Sequence, residues 1–164
     1  MDFAIRPFAP PDTPACLALF DSNTPEYFAP AERGEFAAYL ASPGGGLLVA
    51  EVPGAGVVGV GGYYLRRAAT AAGGSEGGLA WGMVARPWHG RGVGRALLRA
   101  RLAALWTLDA RAASVRTSQH SRGFFERAGF VVIRALSDGF APGIDLIELR
   151  LEAPGQVDTG TGAA

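Results

Sequence analysis

Three glycines at alternate positions, Gly90, Gly92 and Gly94, with Arg91 and Arg95 between and after them, form the stretch of this chain best suited to chemistry. Without Cβ atoms, a tight turn can point successive backbone N–H groups into one concavity and let a ligand come close. Residues 84–98 read as a strand end, the glycine turn and a helix, with Pro87 closing the strand because it has no N–H to donate. The first N–H groups of a helix lack partners within it, and the helix dipole puts partial positive charge there. The turn is therefore a site for a phosphate or pyrophosphate. Two familiar phosphate loops fail on spacing. A dinucleotide fingerprint starting at Gly90 needs glycine where Arg95 stands, and a P-loop needs a Gly-Lys-Ser/Thr triplet that the chain lacks.

The elements that must hold this turn follow from apolar periodicity and its breakers. An initial strand over residues 3–8 is broken by Pro10-Pro11, and Asp12 or Thr13 can cap a helix whose apolar residues run from 15 to 20. A second helix spans residues 30–40, with Phe36, Tyr39 and Leu40 on one side, and residues 42–46 end it. Residues 47–51 and 57–65 read as a hairpin of two strands, and residues 66–77, mostly small, read as a mobile connection. A strand over 78–84 then enters the glycine turn. The helix behind it has Val93, Leu97, Ala100 and Ala104 on one stripe and Leu98, Leu102 and Leu105 on another, so it packs across a sheet. A short strand at 112–117, a short helix at 122–128 and a strand pair at 131–135 and 144–151 complete the pattern. Residues 138–145 are readable either as the turn between those last strands, the preferred reading, or as pocket lining. This order of strands and helices is that of a single α/β domain over residues 1–152. Residues 153–164, rich in Gly, Ala and Thr, read as a disordered tail.

Composition bounds the function classes. At 164 residues, 49% hydrophobic and 18% charged, the chain has enough apolar material for one core. A formal net charge of zero gives no global reason to expect nucleic acid or an anionic membrane as partner. No apolar run approaches the ~20 residues that span a bilayer, and the first residues lack a signal peptide's order, which makes the cytoplasm the expected location. Cys16, His89 and His120 are too few to build an ordinary structural zinc site, so no metal is expected, and Cys16 reads as a buried small hydrophobe.

The stretch His89-Gly-Arg-Gly92-Val-Gly94 resembles the acyl-coenzyme-A loop of the GCN5-related N-acetyltransferase family, whose signature is Gln or Arg, two residues, Gly, one residue, then Gly or Ala. His89 departs from it at the first position. A second stretch, Ser118-Gln-His-Ser-Arg-Gly-Phe-Phe-Glu-Arg-Ala-Gly-Phe130, resembles that family's Asn-x-x-Ala-x-x-Phe-Tyr-x-x-x-Gly-Phe segment, with Ser118, Ser121 and Phe125 at the departing positions. The element order resembles that family's fold along nearly the whole chain, which implies a mixed, mostly antiparallel twisted sheet with flanking helices.

The resemblance implies acetyl-coenzyme A as co-substrate and direct attack by an amine on its thioester in a ternary complex, the acceptor being a small molecule or a peptide. The pyrophosphate would be held by N–H groups over His89, Gly90, Arg91, Gly92, Val93, Gly94 and Arg95. The thioester carbonyl would meet a backbone donor around Met83 and Val84, with residues 81–84 running beside the pantetheine like an added strand. Ser118 and Ser121 would bond the pantetheine or sulfur, or else only cap a helix. The family's usual acid is the tyrosine where Phe125 stands, and phenyl cannot donate a proton. Proton transfer then falls to His120, whose ordinary pKa suits it, or to Glu76; Glu51 is a further candidate carboxylate. His89 would support the loop by a hydrogen bond or, as a cation, assist the phosphates. Tyr27, Phe28, Tyr63, Tyr64, Trp81, Asp138 and Asp145 are the candidate acceptor-pocket residues. Family members often pair through sheet edges or helices, which raises a homodimer. Two rivals remain open: a non-catalytic acyl-coenzyme-A sensor, motivated by Phe125, and a nucleotide-binding protein of another fold.

Overall fold

The computed structural model describes residues 2–67 and 74–155. Its elements are β1 (Ala4–Pro7), α1 (Thr13–Ser22), α2 (Arg33–Ala41), β2 (Gly46–Val52), β3 (Gly56–Arg67), β4 (Ser75–Val84), α3 (Val93–Thr107), β5 (Ala110–Thr117), α4 (Arg122–Arg127), β6 (Val131–Ala141) and β7 (Ile144–Glu152). They form one seven-stranded sheet in the order β1-β2-β3-β4-β5-β7-β6. Only β4 and β5 run parallel. That pairing follows from α3, the long crossover which returns the chain to the sheet in the same direction. Single 3-10 turns at Pro10–Asp12 and Pro30–Glu32 precede α1 and α2, because a proline fixes the first turn and an acid three residues after the cap accepts the cap's N–H.

Both faces of the sheet are covered over β1–β4. On one, Cys16, Leu19 and Phe20 of α1 and Phe36 and Leu40 of α2 pack on Leu47, Val49, Val60 and Met83. Cys16 is fully buried, as its reading as a small hydrophobe requires. On the other, Val93 and Leu97 of α3 pack on Ala50, Val52 and Val58. Leu98 and Leu105, further along α3, join Phe125 and Phe130 over Leu79, Val115 and Leu149.

Several expectations are corrected. The ends of the supposed 66–77 connection are strand: Arg66 pairs with Glu76 and Arg67 with Ser75. Opposite charges set directly across a ladder favour that extension, and the centre of the connection lies outside the described residues. β6 continues past residue 135 to Ala141, so the turn between the last strands is confined to residues 142–143. The two carboxylates explain it. Asp138 Oδ1 accepts the Gly143 N–H at 2.7 Å and Asp145 Oδ1 accepts the Asp138 N–H at 3.0 Å, holding Asp138 at φ 54°. At the start of the expected tail, Ala153 N–H donates to the Arg111 carbonyl of β5 at 2.8 Å; residues 156–164 lie outside the described residues. No described helix is long and apolar enough to cross a membrane.

Candidate active site

After β4, a single turn at Arg86–Trp88 carries the chain to Gly90 and Gly92, at φ 72° and 85°. A Cβ at either position would meet nothing within 4 Å, so what these glycines serve is the left-handed backbone and an open concavity. The first bond within α3 runs from Ala96 N–H to the Gly92 carbonyl. The N–H groups of Val93, Gly94 and Arg95 therefore have no helical partner, and no side chain caps them. The Val93 side chain is fully buried, so that residue offers a ligand only its amide. Arg91 and Arg95 are exposed beside the turn, Arg91 over the Trp88 ring at 5.1 Å. His89 Nε2 donates to the Val84 carbonyl at 2.8 Å, which ties the loop back to β4. The loop-supporting role expected of His89 is this bond.

The cleft beside the loop exists because two parallel strands part. The β4–β5 ladder ends at the pair Leu79↔Val115, yet β4 continues to Val84 and β5 to Thr117. A bulge bends β4 away. The register against β3 slips between Val60↔Met83 and Gly62↔Ala80, and Trp81 in the slip takes φ 52°, a strained value for a non-glycine residue. The Trp81 ring is held by Phe36 at 5.1 Å, Phe28 at 6.0 Å and Tyr39 at 6.3 Å. Ala85 N–H donates to the Val58 carbonyl at 2.8 Å. By the alternation of an antiparallel ladder, the amide of Val84 then faces away from β3 into the cleft, while that of Met83 faces β3; Gly82 lies in the bulge itself, without a ladder partner. The Met83 side chain is in the core. Val84 is fixed at its carbonyl by a second donor, Asn23 Nδ2 at 2.9 Å, which also bonds the Leu19 carbonyl at 2.8 Å from the end of α1. The cleft encloses about 1650 Å³.

The expected proton-transfer residues separate sharply. His120 is exposed at the cleft and packs edge-on against Tyr27, with ring centroids 5.8 Å apart; Tyr27 meets His89 likewise at 5.6 Å. Tyr27 thus bridges the two histidines from the loop between α1 and α2. Ser118 is buried, its Oγ accepting the His120 N–H at 3.3 Å and its carbonyl the Ser121 N–H at 3.1 Å. Phe125 packs edge-on against Phe124 and Phe130. Glu76 lines the cleft but is engaged by Arg150 Nη1 at 2.7 Å. Glu51 does not line the cleft, and Arg6 Nε holds it at 2.7 Å. Of the acceptor candidates, Tyr27, Phe28, Tyr64 and Trp81 line the cleft, whereas Tyr63 packs in the core and Asp138 and Asp145 stay with their hairpin.

The pattern that defines the Acetyltransferase (GNAT) family matches residues 15–130. The chain belongs to that family. No curated protein matches the sequence significantly. Among solved structures, a GNAT-family protein from Desulfovibrio desulfuricans is similar at 25% identity with TM-score 0.76, covering 92% of this chain and 99% of its own. A GCN5-related N-acetyltransferase from Kribbella flavida has 21% identity and TM-score 0.75, over 92% and 98%. The yncA protein of Salmonella typhimurium, solved with its cofactor acetyl-CoA, has 16% identity and TM-score 0.68, over 96% and 100%.

Three cleft residues of this GNAT domain carry signals that sequence pattern alone did not single out. Asn23 read as a helix terminator. Glu32 begins α2 as a cap, its Oε2 accepting the Ala29 N–H at 2.7 Å; burial pushes its carboxyl up, against that hydrogen bond and with Glu35 adding to the rise. Arg101 lies four residues from Leu97 and from Leu105 on α3 and is buried with them.

Proposed function

We propose that this GNAT domain transfers the acetyl group of acetyl-CoA to a primary amine on a small molecule or peptide, by direct attack within a ternary complex. One observation carries the reading: an unpaired strand edge with the Val84 amide facing a cleft runs directly into a glycine turn at a helix N-terminus. Gly90, Arg91, Gly92, Val93, Gly94 and Arg95 would hold the pyrophosphate through amides and two guanidinium groups. The turn fits that group, since the Gly90 and Gly92 concavity is open. Along β4, the Val84 amide and the bulge at Gly82 would meet the pantetheine and the thioester carbonyl, with Met83 contributing backbone between them. Ser118 and Ser121 line the cleft and would stand near the pantetheine or sulfur. His120 would take a proton from the acceptor ammonium, directly or through water, freeing the lone pair of the attacking amine, with Tyr27 orienting its ring. Glu76, held by Arg150, would act as a fixed charge beside the acceptor rather than as the base. Bound acetyl-CoA supplies an activated acyl group.

The test is a calorimetric titration with acetyl-CoA and with desulfo-coenzyme A, followed by thiol release across polyamines, amino acids, aminoglycosides and peptide N-termini. Micromolar binding and amine-dependent release are expected. Binding without turnover on any amine would instead support the sensor reading that the buried Phe125 at the acid's position favours. No binding would remove the reading altogether. A homodimer and a cytoplasmic location remain part of the proposal, to be read from the mass in solution and from cell fractionation.

A further inference from the structure

Arg101 is only 3% exposed, and no carboxylate meets it among the described residues. Its Nε reaches the Leu97 carbonyl at 3.3 Å and its Nη1 the Gly62 carbonyl at 3.4 Å, both at the weak end of hydrogen bonding. Nη2 has no partner among the described residues, and no fully enclosed side-chain nitrogen or oxygen among them lacks one, so Nη2 keeps accessible surface in a side chain that lines the cleft. The guanidinium sits close against β3 and the β4 bulge. A Cβ on Gly61 would come within 2.8 Å of its Cζ, and one on Gly82 within 3.0 Å of both Nη1 and Nη2. Two glycines thus clear the room for a cation behind the β4 bulge.

A charge buried without a counter-ion is costly, and an apolar side chain of similar size in its place is often neutral or stabilising. Burial pushes Arg101 down to about 10, opposed by Tyr39, the ionisable neighbour that acts on it. It is still a full cation at neutral pH. A bound anion would supply the missing partner. In the proposed reaction the amine lone pair forms the C–N bond, the C–S pair leaves on sulfur as the coenzyme thiolate, and the ammonium proton passes to a base or water. Negative charge therefore develops first on the carbonyl oxygen beside Gly82 and Val84, then on sulfur.

We infer that Arg101 is the electrostatic partner of that negative charge: a buried cation behind the Gly82 peptide that stabilises the departing thiolate as an anion, where the family's tyrosine would protonate it. The inference rests on the acetyl-CoA reading. It accounts together for Phe125, for the Gly61 and Gly82 pair and for an arginine on the buried stripe of α3. Arg101 acts through the cleft's field, as a positioning residue for charge.

The test needs no acceptor. Coenzyme A bound to the protein is titrated with pH by its ultraviolet thiolate absorbance, with the desulfo-coenzyme complex as blank. Burial pushes the Cys16 thiol up to about 12, which keeps it silent over the working range. The bound thiol is expected to ionise at least about one pH unit below the free coenzyme, a tenfold stabilisation of thiolate. Arg101→Met should abolish that shift and Arg101→Lys retain part of it, while Arg101→Met raises the Tm of the ligand-free protein. A wild-type complex whose thiol ionises at the free coenzyme's pH overturns the inference without any variant. So does an equal shift in wild type and Arg101→Met. Failure of coenzyme A to bind wild type would remove the acetyl-CoA reading and this one with it, which separates the two failures.

Discussion

At the scale of single residues, the loop and the strand edge are joined through one carbonyl. Val84 accepts from both Asn23 and His89. Asn23 is buried, so Asn23→Ala would leave the Leu19 carbonyl without its side-chain donor and cost about 1–3 kcal/mol. A 164-residue chain should then lose about 2–4 °C of Tm per kcal/mol. Acetyl-CoA affinity should fall as well, because the peptide that presents the Val84 amide is loosened; a lower Tm with unchanged affinity would confine Asn23 to a structural role. Gly94→Glu is the sharper probe of the loop. Gly94 has no positive φ, and a Cβ there would sit 3.5 Å from Phe124, an ordinary contact. The variant should fold with nearly wild-type Tm yet bind coenzyme A at least ~100-fold more weakly, since a carboxylate would stand in the anion site at about 3 kcal/mol or more. Gly92→Glu should also abolish binding, with an added backbone cost of roughly 1–3 kcal/mol at φ 85°. The glycines were readable because their requirement is local. Asn23 was not, because its partner lies 61 positions away.

Among elements, β1 is the shortest strand and depends on side chains for its place. Arg6 forks onto Asp12 with Nη1 to Oδ2 at 2.8 Å and Nη2 to Oδ1 at 2.9 Å, and its Nε reaches Glu51 on β2. The Arg6 guanidinium holds the Asp12 carboxyl below the usual carboxylate range, helped by the Ala9 N–H and opposed by burial. A carboxyl with a depressed folded pKa adds stability that is present above its unfolded value, near 4, and lost as pH falls through the folded value. Because Arg6 is about a third exposed, the contribution is of order 1 kcal/mol. Urea midpoints measured at pH 7 and at about pH 2 should therefore differ less for Asp12→Asn than for wild type, and parallel pH curves would refute the assignment. The elements were legible wherever a breaker or a period marked them: Pro10-Pro11 before α1, the 42–46 run before β2, and the glycine turn before α3. β6 ran on because its extension depends on Asp138 and Asp145 meeting across the hairpin, a pairing that no periodicity reveals.

Over the whole molecule, the sheet falls into two packed halves. The clusters around Phe36 and around Val58 lie on β1–β4, and that around Leu149 lies on β4, β5 and β7. They meet along four β4–β5 pairs, Ser75↔Ala110, Gly77↔Ala113, Gly78↔Ser114 and Leu79↔Val115. α3 bridges them, with Leu97 in one cluster and Leu98 and Leu105 in another. The α/β class was legible from element order, and the mixed sheet from the family fold which that order resembles. The splaying that makes a cleft was not, since it depends on a one-residue slip beside Trp81. A ligand lying in that cleft touches both halves and should couple them. At one hundred times its Kd, acetyl-CoA should add about 2.7 kcal/mol, which for a chain of this size raises Tm by roughly 5–11 °C. Gly94→Glu should show none of that rise. ATP or NAD at the same concentration should leave wild type unmoved, because the glycine turn has neither a P-loop lysine nor a dinucleotide fingerprint. A rise with ATP and none with acetyl-CoA would mean that the turn serves a nucleotide and that the splayed strand edge has no ligand of its own.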